Sequence, residues 1–182
     1  LLLHMDGAND GTSFPDSSRS EHTVTPSGSV HTDTAIKKFG TASAQFDGTT
    51  DYLSIASSSD FAIGTGDFTM ECWVYHTTSG SSENIIDLRD GSNGYKLDVD
   101  TNNYIGFYSE PGGTYHIKTS AISEDTWYHV AVVRLDGVVY LYLDGVYQST
   151  TADTNDYSTS LAAVIGARHN APSGGQEWTG YI

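Results

Sequence analysis

Carboxylates are the most abundant reactive groups in this sequence: 23 Asp and Glu stand against 8 Lys and Arg, a formal net charge of −15. Paired carboxylates can divide general acid and base work, and clusters of them hold hard cations. Leu97-Asp98-Val99-Asp100 offers two on one strand face, without a third group in the pattern. Asp98-x-Asp100-x-Asn102 imitates the opening of a calcium-binding helix-loop-helix loop. It departs from that loop where Asn103 takes the glycine position and Ser109 the bidentate glutamate position, so a hairpin turn is the better reading. His4, His22, His31, His76, His116, His129 and His169 lack the paired spacing of zinc sites. No Gly-x-Ser-x-Gly elbow exposes a nucleophilic serine. Cys72 is the one cysteine, which excludes an internal disulfide; inside an apolar strand it reads as a small buried hydrophobe.

The charge also limits the partners. A chain at −15 is repelled by a phosphate backbone and by an anionic membrane surface, so neither nucleic acid nor membrane insertion is expected. Apolar residues make up 37% of the chain, and no run approaches the roughly 20 that a membrane span needs. Leu1-Leu2-Leu3 is too short for a signal peptide, and there is no initiator Met. The chain therefore reads as a segment of a longer protein.

Strands must position these groups, because the apolar pattern has period two and almost no helical period. Phe68, Met70, Cys72 and Val74 fall on one face, with Thr69, Glu71, Trp73 and Tyr75 on the other. His129–Leu135 and Val138–Leu143 read as a hairpin around Asp136-Gly137, followed by a second turn at Asp144-Gly145. Asp-Gly occurs six times and tolerates the positive φ of tight hairpin turns. A meander is expected over Asn84–Arg89, Tyr95–Asp100, Tyr104–Ser109 and Thr114–Lys118, with turns at Asp90–Gly94, Thr101–Asn103 and Pro111–Gly113. Further strands are expected at Leu1–Met5, Ser43–Phe46 and Tyr52–Ile55, and the Ser/Thr-rich segment from Ala8 to Lys38 as an ordered surface loop. Strands at this spacing without crossover helices mean one all-β antiparallel domain over residues 1–182.

The order of the segments carries a resemblance. Leu-Leu-Leu-His-Met-Asp-Gly (1–7) is followed by Phe39-Gly-Thr-Ala-Ser-Ala-Gln-Phe-Asp-Gly48, Asp51-Tyr-Leu-Ser-Ile55 and Asp67-Phe-Thr-Met-Glu-Cys-Trp-Val74. Then come Trp127-Tyr-His-Val-Ala-Val-Val-Arg134, Tyr140-Leu-Tyr-Leu-Asp-Gly145, Ile165-Gly-Ala-Arg168 and Gly180-Tyr-Ile182. This series resembles the laminin-G-like, concanavalin A-like lectin/glucanase superfamily, in the form found in bacterial surface and phage virion proteins. The resemblance implies a two-sheet jelly-roll sandwich. Members usually continue past Gly-x-Ile with an acidic pair and a final strand beside the first, so this chain is expected to stop short of that strand.

The fold hosts lectins, glucanases and plain adhesion modules, so function has to come from the site. Glucanases of this fold carry Glu-x-Asp-x-(x)-Glu on a strand, and here Glu71 is followed by Trp73 where the Asp should stand. A catalytic pair is therefore not expected. The resemblance places Asp6 and Asp47 near a structural Ca2+ site. It also brings Arg89, Tyr95, Arg168, His169 and Trp178 to one rim as ligand-binding candidates, aromatic faces serving sugar CH groups and polar side chains the hydroxyls. Trp73 and Trp127 fit packing better than binding. The first expectation is a non-catalytic carbohydrate-binding or adhesion module at a cell or virion surface, or otherwise extracellular, with a glycan or host-surface polysaccharide as partner. The alternative is a structural domain of a phage capsid or tail fibre that contacts neighbouring structural proteins. A glycoside hydrolase comes third.

Overall fold

Period-two alternation produces strands across most of the chain, and Asp, Asn and Gly turn them. The computed structural model describes residues 1–111, 114–169 and 176–182, with the side chains of all of these but 114–116. In chain order the strands are β1 (Val24–Ser27), β2 (His31–Asp33), β3 (Ser43–Asp47), β4 (Tyr52–Ser58) and β5 (Phe68–His76). They continue as β6 (Glu83–Arg89), β7 (Gly94–Val99), β8 (Tyr104–Glu110), β9 (Thr114–Ala121) and β10 (Trp127–Leu135). The last are β11 (Val138–Leu143), β12 (Val146–Ala152), β13 (Leu161–Ile165) and β14 (Thr179–Tyr181). Two seven-stranded antiparallel sheets result, one ordered β1-β4-β13-β6-β7-β8-β9 and the other β12-β11-β10-β5-β14-β3-β2. No helix among the described residues is long and apolar enough to cross a membrane.

Alternate residues of each sheet fill the space between them. Leu97, Val99, Ile105 and Phe107 from the first sheet meet Val130, Val132, Val139 and Leu141 from the second, all fully buried. The expected hairpin forms with Leu135 opposite Val138. Asp136 and Gly137 have φ of 50° and 72°, and Asp144 and Gly145 have 50° and 75°, the paired positive angles of the hairpin turn whose twist matches that of the strands. At the Thr101–Asn103 turn the Asp100 carboxylate accepts the N–H groups of Asn102 (2.8 Å) and Tyr104 (3.1 Å), so it closes a turn.

Two expectations are corrected. Leu1–Met5 is not a strand: its one ladder contact is a bridge from Leu3 to Asp16. Asp16 competes for that segment's backbone, accepting N–H groups from Leu2, Ser18 and His22. The segment from Ala8 to Lys38 is not all loop, because it contains β1 and β2. Too few apolar residues alternate there to reveal strands that each lie at the edge of a sheet. Gly112 and Gly113 of the expected Pro111–Gly113 turn lie outside the described residues.

Candidate binding site

The outward faces of β6, β7 and β8 carry charge instead of the usual mix of small polar groups. Tyr95, Leu97 and Val99 of β7 point into the core, so Lys96 and Asp98 point out. Cross-strand pairing then lines up three rows: Asp87-Lys96-Tyr108, Asn84-Asp98-Gly106 and Arg89-Gly94-Glu110. These groups are sunk in the surface. Asp87 and Asp98 are 0% exposed, Lys96 is 4% and Arg89 7%. Asn84 beside them donates to the Gln176 backbone and side-chain oxygens at 3.2 Å.

Asp87 is the hub. Its two oxygens accept from Arg89 Nε (2.8 Å) and Nη2 (2.7 Å), and the ring Nδ1 of His169 lies 3.2 Å from Oδ2. The Arg89 guanidinium also reaches Glu110 at 3.4 Å and lies 4.9 Å from the centre of the Tyr108 ring. Alongside, Lys96 bonds Asp98 at 2.6 Å and Asn84 at 3.2 Å. Burial pushes the Asp87 carboxyl up, but hydrogen bonds from Arg89 and His169 and their charges outweigh it and hold it at about 2. Its folded value lies below the unfolded one near 3.9, so its contribution is complete above about pH 4 and lost as pH falls through 2. The difference corresponds to about 2–3 kcal/mol. Thermal unfolding between pH 5 and 2 is expected to show an acid limb that flattens in Asp87→Asn. An unchanged limb would place the acid sensitivity elsewhere.

Of the five expected rim residues, Arg89 and His169 converge on Asp87, and Arg168 precedes His169 in the chain. Two buried atoms here, His169 Nε2 and Glu110 Oε2, have no hydrogen-bond partner among the described residues, and neither does the buried Nε of Arg168. Tyr95 and Trp178 are corrected from rim to core. Tyr95 occupies an inward position of β7, 5.6 Å from the Phe68 ring and 5.0 Å from Tyr157. Trp178 is 0% exposed, its ring 4.8 Å from His76, itself paired with Glu83 at 3.2 Å. Trp73 and Trp127, read as fitting packing better than binding, do make packing contacts. Both are half-buried on the outer face of the second sheet, Trp73 against His129 and Trp127 against Tyr75. Sequence reasoning missed Asp87, Asn84, Lys96 and Glu110. The available signal was opposite charge at alternate positions, Asp87-x-Arg89 and Lys96-x-Asp98, on strands expected to be half-apolar.

Of Asp6 and Asp47, the residues proposed for Ca2+, the first ties its segment to Thr41 and the second closes a turn. Asp6 accepts the Thr41 N–H (2.5 Å) and hydroxyl (3.0 Å), and that N–H holds its carboxyl below the ordinary range. Asp47 accepts from Thr49, Thr50 and Asp51; burial raises its carboxyl, but these bonds outweigh that and hold it at about 2. Both carboxylates face N–H and O–H donors, the surroundings of a capping anion. Among the described residues, no three His, Cys, Asp or Glu side chains come together as a metal set.

Two antiparallel sheets packed face to face, with a dense polar cluster on the outer face of one, define a β-sandwich of the concanavalin A-like type. Residues 47–182 match the family described as the concanavalin A-like lectin/glucanases superfamily, and the chain belongs to it. Similar solved structures include a mutant of HCR/D, 16% identical over 95% of this chain with a TM-score of 0.70; this chain spans 45% of that one. Domain 4 of AbnA, a GH43 extracellular arabinanase from Geobacillus stearothermophilus solved with arabinotriose, is 14% identical with a TM-score of 0.66, covering 88% of this chain and 78% of its own. The binding domain of botulinum neurotoxin DC, solved in complex with SialylT, is 13% identical with a TM-score of 0.67, covering 92% of this chain and 41% of its own. At these identities the likeness establishes the fold. No curated protein matches the chain.

Proposed function

We propose that this chain is a non-catalytic carbohydrate-binding or adhesion module of a secreted, cell-surface or virion protein. The observation that carries this reading is the polar face of β6, β7 and β8, whose charges are internally compensated while His169 and Glu110 keep buried atoms without partners among the described residues. Sugar hydroxyls both donate and accept, and a preorganised set of mixed donors and acceptors suits them better than a single strong charge. Two fold relatives solved with arabinotriose and with SialylT support the same ligand class. A glycosidase acid must hold a proton near the working pH, and an Asp87 carboxyl at about 2 does not.

A glycan array probed with the folded protein, in calcium and in EDTA, tests the reading. Binding to a defined set of glycans is expected, weakened about tenfold or more in His169→Ala and Arg168→Ala, the cost of one or two hydrogen bonds. Signal lost in EDTA alone would support an ion at Asp6 and Asp47. Absence of binding to every glycan would favour the second reading, a structural domain that contacts other proteins. That alternative draws on the exposed apolar groups Leu1, Leu2 and Phe39. Turnover of a polysaccharide, abolished by replacing one carboxylate, would overturn both.

A further inference from the structure

Strands β6 and β7 bury a lysine, an asparagine and an aspartate against one another. Lys96 Nζ lies 2.6 Å from Asp98 Oδ2 and 3.2 Å from Asn84 Oδ1. Asn84 and Asp98 are directly opposed across the ladder, and Lys96 stands two residues before Asp98 on the same face. Asn84 and Asp98 are 0% exposed and Lys96 4%, and the centre of the Tyr108 ring is 5.4 Å from Nζ. The remaining lysines lie nearer to water: Lys37 and Lys38 are exposed and Lys118 is half-buried.

The carboxamide of Asn84 is held with its oxygen toward the lysine, because its nitrogen donates to the two Gln176 oxygens. Its carbonyl carbon is one bond, about 1.2 Å, from that oxygen. An amine and the carbon it can acylate are thus fixed side by side, with a carboxyl group touching the amine. Asp87, which also faces Lys96 across the ladder, is engaged elsewhere, both of its oxygens accepting from Arg89 or meeting His169.

We infer that Lys96 and Asn84 join in an isopeptide bond, made by the folded chain on itself with Asp98 as proton carrier. Passing a proton from the buried ammonium to the buried carboxylate replaces two charges by two neutral groups, which burial favours. The lone pair of the neutral amine then attacks Cγ of Asn84, and the C=O electrons move onto Oδ1. Asp98 gives its proton to the carboxamide nitrogen and takes a second one from Nζ. When the C=O re-forms, the bond from Cγ to the old nitrogen breaks and ammonia leaves, collecting the last proton from Asp98. The step needs no oxidant, reductant or further reactant. In water an amine does not displace an amide nitrogen at neutral pH. Alignment within one fold is equivalent to effective molarities on the order of 10⁵–10⁸ M, and the shared carboxyl supplies the acid and base. The bond ties β6 to β7 and requires no glycan, so it stands apart from the binding reading.

The intact mass of the folded 182-residue protein tests this. It is expected to fall below the sequence mass by about 17 Da, one ammonia. Trypsin is expected to leave residues 39–89 joined to residues 90–118 through Asn84 and Lys96, with cleavage after Lys96 blocked. Asn93-Gly94 can also lose ammonia by closing on its own backbone, but that joins no second peptide and would persist in Lys96→Met. Lys96→Met and Asn84→Ala are expected to abolish the linked pair. Asp98→Asn, which keeps both reacting groups, is expected to slow its formation about tenfold or more. The wild-type mass and digest decide the matter even where a variant fails to fold. Absence of the linked pair from the wild-type protein after prolonged incubation would overturn the proposal. Undiminished ammonia loss in Lys96→Met would do the same, and full-rate linkage in Asp98→Asn would remove Asp98 from it.

Discussion

Gly180→Ala is expected to lower stability by about 4 kcal/mol or more, enough to leave a domain of this size partly unfolded at room temperature. Gly180 has φ of +135° inside β14, and a Cβ there would lie 2.1 Å from the Tyr75 carbonyl oxygen and 3.3 Å from His76 Cα. Those atoms belong to β5, which is pinned by its ladder with β10 and cannot retreat without breaking it. Gly145→Ala makes the control. Its φ is also positive, at +75°, but nothing lies within 4 Å of the added carbon, so only the backbone penalty of about 1 kcal/mol applies. Urea denaturation of the two variants separates clash from strain. Equal losses would show that the close approach of β14 to β5 relaxes freely.

Arg89→Met is expected to cost about 3–5 kcal/mol, because it leaves Asp87 buried without its bidentate partner. Arg89→Lys is expected to recover little, since an ammonium cannot bridge both oxygens of Asp87. The double variant Asp87→Leu/Arg89→Met is expected to regain most of the loss, as buried ion pairs are often replaceable by apolar groups of similar volume. A double-mutant cycle by chemical denaturation measures the coupling. A loss below about 1 kcal/mol in Arg89→Met would mean that water reaches the pair and that the polar face is an ordinary surface.

The strands that carry most of the core were legible because both signals agreed there. Val130, Val132, Leu141 and Leu143 alternate with polar or smaller residues and are bounded by Asp-Gly turns that the structure retains. Strands β1 and β2 were not legible: Val24-Thr-Pro-Ser and His31-Thr-Asp carry almost no apolar alternation, and β1 takes its pairing from β4, further along the chain. The polar site was half legible. Arg89, Arg168 and His169 follow from where the motifs end, but Asp87 does not, because an aspartate within Asn-Ile-Ile-Asp-Leu-Arg resembles any polar residue on a strand. What makes it the hub is the return of the chain after β13, a tertiary event without local trace. Tyr95 and Trp178 misled for the converse reason. An aromatic beside a loop looks available until the register shows which way it points.

Strand β14 has a consequence in time as well as in space. It joins β3 to β5 by hydrogen bonds that link residues 179–181 to residues 45–47 and 75–76. Until residue 181 has left the ribosome, the second sheet exists only as two unjoined parts, each with an open edge. Loops that long close slowly and expose strands meanwhile, so the vulnerable period of this domain is its synthesis, and chaperone demand should track the delay before β14 emerges.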